Sequence, residues 1–140
     1  SWMPNEIGGI CWYAVENPGQ SPRIPIFTGS TQLLSCFDEC GHGNYDENTI
    51  LWRYRKANKL AQIQWGSTKK IMIDNVLRYE EKAMKEIPAL EKEVMTLLEE
   101  GKKEEAQKLM NRYTADFEAA TAQTWKEMEH SFWERFWVNF

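Results

Sequence analysis

The sequence predicts a mainly α-helical chain with a short β element at its N-terminal end. The composition changes near residue 48: most of the eight glycines and four of the five prolines precede it, and Glu, Lys, Ala, Leu and Met dominate after it. A length of 140 residues suits one domain of average size. We therefore divide the chain into a strand-and-loop segment, residues 1–48, and a helical region, residues 49–140.

Two short strands are expected in the first segment. Residues 7–15 (IGGICWYAV) are apolar without alternation, which favours a strand covered on both faces. Residues 17–19 (NPG) predict a turn. A second extended segment is predicted over residues 23–28, where proline confines it to a sheet edge or to irregular structure. A loop over residues 29–48 completes the segment.

Helices are predicted over residues 49–64, 68–100 and 103–137. Asn48 or Asp46 is a suitable N-cap for the first helix. Gly66 is expected to end that helix, and Ser67 to cap the next one.

The second and third helices are expected to form an antiparallel hairpin. Apolar residues recur in steps of three and four through Pro88, which predicts one kinked helix or two nearly collinear ones. Gly101 is a C-terminal signal and leaves almost no loop before the third helix. We expect Leu90 and Phe117 to lie in the seam between the two helices.

The end of the third helix is apolar on nearly every side. We expect these side chains to be buried against the protein's own strands or against a part of it that this sequence does not include, and a ligand pocket or membrane-surface contact is the alternative. No apolar run is long enough to span a membrane. The net charge of −4 argues against nucleic acid as a partner. The apolar residues at the end of the third helix, to which this expectation applies, are Trp125, Phe132, Trp133, Phe136, Trp137 and Phe140.

Cysteine and histidine form one short cluster in the loop. Cys36, Cys40 and His42 have the spacing C-x3-C-x-H, which supplies three soft ligands where zinc prefers four. We therefore predict no metal site and no cofactor. Cys40 and His42 are also too close in sequence to make a well-placed nucleophile and base. Whether Cys11, Cys36 and Cys40 are free or disulfide-bonded stays open, and so does the cellular compartment.

A basic patch lies on the first predicted helix. Its members are Arg53, Arg55, Lys56 and Lys59, and no acidic residue occurs between residues 48 and 73. We interpret the patch as a solvated face that pairs with the Glu-rich helix that follows, and an acidic partner or substrate is the alternative.

The chain begins with Ser1 instead of an initiator Met, which suggests a processing boundary and a piece of a longer protein. A Ser at position 1 is also a formal N-terminal nucleophile. However, residues 2–4 (WMP) lack the small-residue strand start that such a nucleophile needs.

Residues 2–13 (WMPNEIGGICWY) and 21–29 (SPRIPIFTG) resemble the C-terminal part of the bacterial dipeptidase family related to secernins. These are cysteine peptidases of the N-terminal-nucleophile class. Residues 51–60 also look like the family's helix that follows this region, and the Glu/Lys-rich helices look like its C-terminal tail.

The resemblance implies that this chain is the helical C-terminal portion of an αββα sandwich. It implies a nucleophilic cysteine at the mature N-terminus of the larger protein, upstream of Ser1, and therefore no catalytic residue in this chain. The implied partners are the remainder of the larger protein and, through it, a peptide substrate. A stand-alone helical protein-interaction module is the alternative, and a homo-oligomer stays open.

Overall fold

A computed structural model describes residues 9–14, 19–27 and 49–139 of the chain. The described part is mainly helical with a small antiparallel sheet of two strands, as the sequence predicts. None of its helices has an apolar stretch long enough to cross a membrane. The elements are β1 (Ile10–Tyr13), β2 (Ile24–Phe27), α1 (Ile50–Ile63), α2 (Trp65–Glu99) and α3 (Lys103–Asn139).

The two strands differ in burial. In their register Ile10 lies opposite Phe27, and Trp12 lies opposite Pro25. All of β2 is buried or half-buried, whereas β1 is exposed after Ile10. Thr114 of α3 donates a hydrogen bond to the Pro25 carbonyl oxygen at 3.1 Å, which joins β2 to the helices.

Residues 7–15 were expected to form a strand covered on both faces, and the helices of this chain do not supply that cover over residues 11–13. The helices cover β2, the strand that proline was expected to confine to an edge. Apolar composition marks both segments as strands, but packing from distant helices decides which strand is covered. Residues 7, 8 and 15 lie outside the described residues.

The junction between α1 and α2 lies one turn earlier than predicted. The break is at Gln64, whose φ of −130° and ψ of 57° are not helical, and α2 begins at Trp65 instead of residue 68. Ser67 is therefore not an N-cap, and Gly66 lies in the first turn of α2. Thr68 stabilises the junction because its hydroxyl donates to the Ala61 carbonyl oxygen at 2.8 Å.

The N-cap of α1 is Thr49, which makes no side-chain capping hydrogen bond. The predicted caps Asn48 and Asp46 lie outside the described residues.

A left-handed glycine ends α2 and reverses the chain. Gly101 has a φ of 77°. Its N–H donates to Leu98 O at 3.0 Å, and the Lys102 N–H donates to Leu97 O at 2.8 Å, which is the Schellman pattern. The helix before it is continuous through Pro88, so α2 is one helix, about 50 Å long.

The core has a large cluster around α1, α2 and α3 and a smaller one near the helical turn. Leu90 belongs to the smaller cluster, with Phe27 and Met110, whereas Phe117 belongs to the larger one. Phe117 packs against Tyr79, with 5.7 Å between ring centroids. Both residues are buried as expected, but they do not lie level in the seam, because Phe117 is farther along the chain from Gly101 than Leu90 is.

Candidate functional site

The structure describes only one residue of the predicted cysteine chemistry. Cys11 lies on β1 and is an exposed free thiol. Cys36, Cys40, His42 and Ser1 lie outside the described residues. Within the described ranges no group of three or more His, Cys, Asp or Glu side chains could hold a metal ion.

The basic patch on α1 makes specific contacts. The Lys56 ammonium nitrogen lies 3.4 Å from Oε1 of Glu129, and both side chains are mostly buried. Arg55 places its guanidinium 5.1 Å from the centroid of the Trp52 ring. The expected acidic partners were those of the following helix, but Glu129 is on α3. The reason is that α1 packs along α3, which brings the far half of α3 beside the patch.

A buried polar network fastens the segment before β2 to the helices. The Trp125 indole N–H lies 3.2 Å from Oδ1 of Asn58 and 3.3 Å from the Gln20 carbonyl oxygen. Asn58 also donates to the Ser21 hydroxyl at 3.3 Å. All four residues are buried, so this network positions a backbone segment and presents no reactive group to solvent.

A groove opens between the β-hairpin of β1 and β2 and the helix α2. It has a volume of about 160 Å³, and its described lining comprises Trp12, Arg23, Glu80 and Met84. Trp12 comes from β1, Arg23 from the residues just before β2, and the other two from successive turns of α2. Trp12 is 43% exposed and Met84 is 74% exposed, so both residues present apolar surface to solvent.

The charges of the groove come from different elements, Arg23 from the residues before β2 and Glu80 from α2. Arg23 is exposed and Glu80 is half-buried. Neither makes an ion pair with any residue in the described part of the chain. A cation, an anion and two apolar side chains therefore share one groove.

Sequence reasoning missed this groove because its residues are far apart in the chain. One signal was present: Leu77, Met84 and Met95 fall outside the buried stripe of α2 yet are apolar. Their spacing of seven and eleven residues places them on one exposed face of the helix.

The apolar end of α3 divides between the core and solvent. Trp125, Phe132 and Phe136 are buried, which confirms the expected burial for these three side chains. Trp133 and Trp137 are 56% and 86% exposed, one helical turn apart. Phe140 lies outside the described residues.

Comparisons with known proteins identify no relative. No protein-family model, curated protein or solved structure matches the chain.

Proposed function

We propose that this chain is the C-terminal part of a dipeptidase-like cysteine hydrolase that cleaves dipeptides or short peptides. Its role there is structural: it supplies sheet strands and a helical cover to an αββα sandwich. The proposal rests first on the resemblance of residues 2–13 and 21–29 to the dipeptidase family related to secernins.

The unequal burial of the hairpin is the structural observation that favours this role. The helices hold β2, while Trp12 and Tyr13 of β1 remain more than 40% exposed. An isolated two-stranded sheet is only marginally stable in water, and either further strands or packing against a helix stabilises it. Here the helices cover β2 and leave β1 exposed. A hairpin held through one strand and open along the other is suited to extend a larger sheet.

Catalysis in this proposal belongs to the rest of the hydrolase. In the N-terminal-nucleophile mechanism the α-amine of the first residue takes the proton of its own thiol. Cys11 is the cysteine that the structure describes, and it lies inside a strand without a free α-amine. We therefore assign no catalytic residue to this chain.

The mass of the natural gene product tests the proposal. An antibody raised against residues 80–105 would detect the product in extracts of the source cells under denaturing conditions. A product several-fold heavier than the 16.5 kDa of this chain is expected. Purification of that product should yield dipeptidase activity that a thiol-alkylating reagent abolishes. A product close to 16.5 kDa, or a heavier one without such activity, would contradict the proposal.

A stand-alone interaction module is the second candidate, and the exposed pair Trp133 and Trp137 favours it. Tryptophan is enriched where proteins contact each other, and one helical turn places these two rings on the same side of α3. In that case the natural product has the mass of this chain and migrates in a larger native complex. Replacing both residues by Ala should then release it from the complex.

A further inference from the structure

The groove between the hairpin and α2 has the chemistry of a small-molecule site. We propose that it binds a zwitterion: a free α-amino acid, or the end of a short peptide, that carries an aromatic or branched apolar side chain. This inference goes beyond the proposed function and does not depend on it, because every group it uses lies in this chain.

The charges of the groove match the two ends of such a ligand. The Arg23 guanidinium presents paired N–H donors that suit a carboxylate, and the Glu80 carboxylate accepts hydrogen bonds from an ammonium group. Because the two side chains do not pair with each other or with other described residues, no internal ion pair has to break before the ligand binds. A ligand with a single charge would satisfy only one of them.

The two apolar side chains of the groove, Trp12 on β1 and Met84 on α2, suit the ligand's side chain. The Trp12 indole offers a flat face that packs on a ring, and it attracts an ammonium group through its π-electrons. Met84 has a flexible thioether that adapts to irregular shapes and makes favourable contacts with aromatic rings. A strongly hydrated ligand without a side chain, such as glycine, would leave both of these apolar side chains exposed to solvent.

Size and openness limit the ligand and its affinity. A volume of about 160 Å³ is smaller than the roughly 300–1,000 Å³ of pockets that enclose drug-sized ligands, so we expect a small ligand. The groove is open to solvent, where ion pairs are screened and contribute little. We therefore expect a dissociation constant on the order of millimolar.

Four related compounds separate the contributions. The chain labelled with ¹⁵N would be titrated with L-phenylalanine, 2-phenylethylamine, 3-phenylpropionate and glycine up to about 50 mM, well above millimolar affinity. The indole N–H signal of Trp12, assigned by its loss in Trp12→Phe, reports on the groove. L-phenylalanine should shift this signal and bind roughly three- to fivefold more tightly than either singly charged analogue, as expected for one exposed ion pair. Glycine should bind more weakly still.

Matched variants assign each charge to its partner. Arg23→Gln should lower the affinity for L-phenylalanine to that for 2-phenylethylamine, and Glu80→Gln should lower it to that for 3-phenylpropionate. Glu81→Gln, on the exposed neighbouring position of α2, is the control and should leave binding unchanged. Circular dichroism would show that each variant stays folded.

Three results would overturn the inference. The first is an indole signal of Trp12 that does not move at any concentration of L-phenylalanine. The second is 3-phenylpropionate or 2-phenylethylamine binding as tightly as L-phenylalanine, which would mean that only one charge is used. The third is binding that both Arg23→Gln and Glu80→Gln leave intact, which would place the ligand elsewhere.

Discussion

The indole of Trp125 holds together three parts of the molecule that are distant in sequence. It is fully buried on α3, it donates toward Gln20 before β2, and it also reaches Asn58 on α1. An indole N–H is a donor only, and both of its acceptors belong to buried residues, so the loss of the indole removes a donor from a buried polar network.

Trp125→Phe should therefore destabilise the fold by about 2–4 kcal/mol, from the lost buried hydrogen bonds and the lost side-chain volume. Urea unfolding followed by circular dichroism measures this. Trp137→Phe is the matched control: that ring is 86% exposed, and its change should stay within about 0.5 kcal/mol. Equal effects of the two substitutions would contradict the role of the buried network.

Tyr113 gives the protein an alkaline sensitivity. Burial raises the pKa of its phenol above the usual 10.0, and the Glu86 carboxylate acts in the same direction. The folded chain therefore keeps this proton at pH values where the unfolded chain loses it. Tyr113 has no effect on the pH dependence below about pH 10, and it lowers stability as the pH rises above that value.

Tyr113→Phe should accordingly flatten the loss of stability between pH 10 and 12. The difference in slope should not exceed about 1.4 kcal/mol per pH unit, because a single titrating proton cannot contribute more. Urea midpoints at pH 8, 10 and 11 for the two proteins provide the measurement. Parallel pH profiles would show that the phenol does not titrate differently in the folded state.

Among the elements, the two glycines that border α2 have opposite backbone requirements. Gly101 has a positive φ of 77°, which an L-residue with a side chain adopts only at a cost, whereas Gly66 lies in the first helical turn without a positive φ. A Cβ atom at either position would have no non-neighbouring atom within 4 Å, so steric clashes do not contribute to the difference between alanine substitutions at the two glycines.

Gly101→Ala should cost about 1 kcal/mol because it strains the Schellman turn, and Gly66→Ala should stabilise α2 by about 0.5–1 kcal/mol. Thermal unfolding of the two variants side by side would show shifts of opposite sign. Shifts of the same sign would mean that the difference in backbone conformation does not govern their stability.

Elements whose signals are local were predictable from the sequence. The stripe of apolar residues through Pro88 identified α2, and Gly101 identified its end. Gly66 and Ser67 misled the prediction of the helix start, because Thr68 bonds across the junction to Ala61 and keeps both residues within the helix. Local composition also could not rank the two strands, since α3 decides which of them is covered.

At the scale of the whole molecule, neither the groove nor the buried network around Trp125 could be predicted from the sequence, because both depend on how distant elements pack. Trp12 and Met84 line the same groove only because the β1–β2 hairpin lies beside α2, and no pattern within one element joins them. The pairing of Lys56 with Glu129 has the same origin, because it follows from the packing of α1 along α3.

The whole chain, tested alone, should not hydrolyse dipeptides. The activated N-terminal cysteine that the resemblance implies is absent from it, and without such a nucleophile peptide hydrolysis loses several orders of magnitude in rate. The measurement is release of amino acids from a dipeptide panel, with and without a thiol-alkylating reagent. Turnover that alkylation abolishes would mean that one of Cys11, Cys36 and Cys40 acts as a nucleophile, and Cys11→Ser would show whether it is the first of these.

The hydrogen bond from Trp125 to Gln20 spans 105 residues, and this separation orders events during synthesis. A ribosome adds about 5–20 residues per second, so the segment around β2 emerges about 5–20 s before the indole that secures it. The contacts between α2 and α3 are closer in sequence, because the chain reverses at Gly101, but they also form only when α3 has been synthesised. The apolar side chains of Ile24 and Phe27 are therefore exposed while the residues that follow them are synthesised, and they gain their final cover only when α3 has emerged.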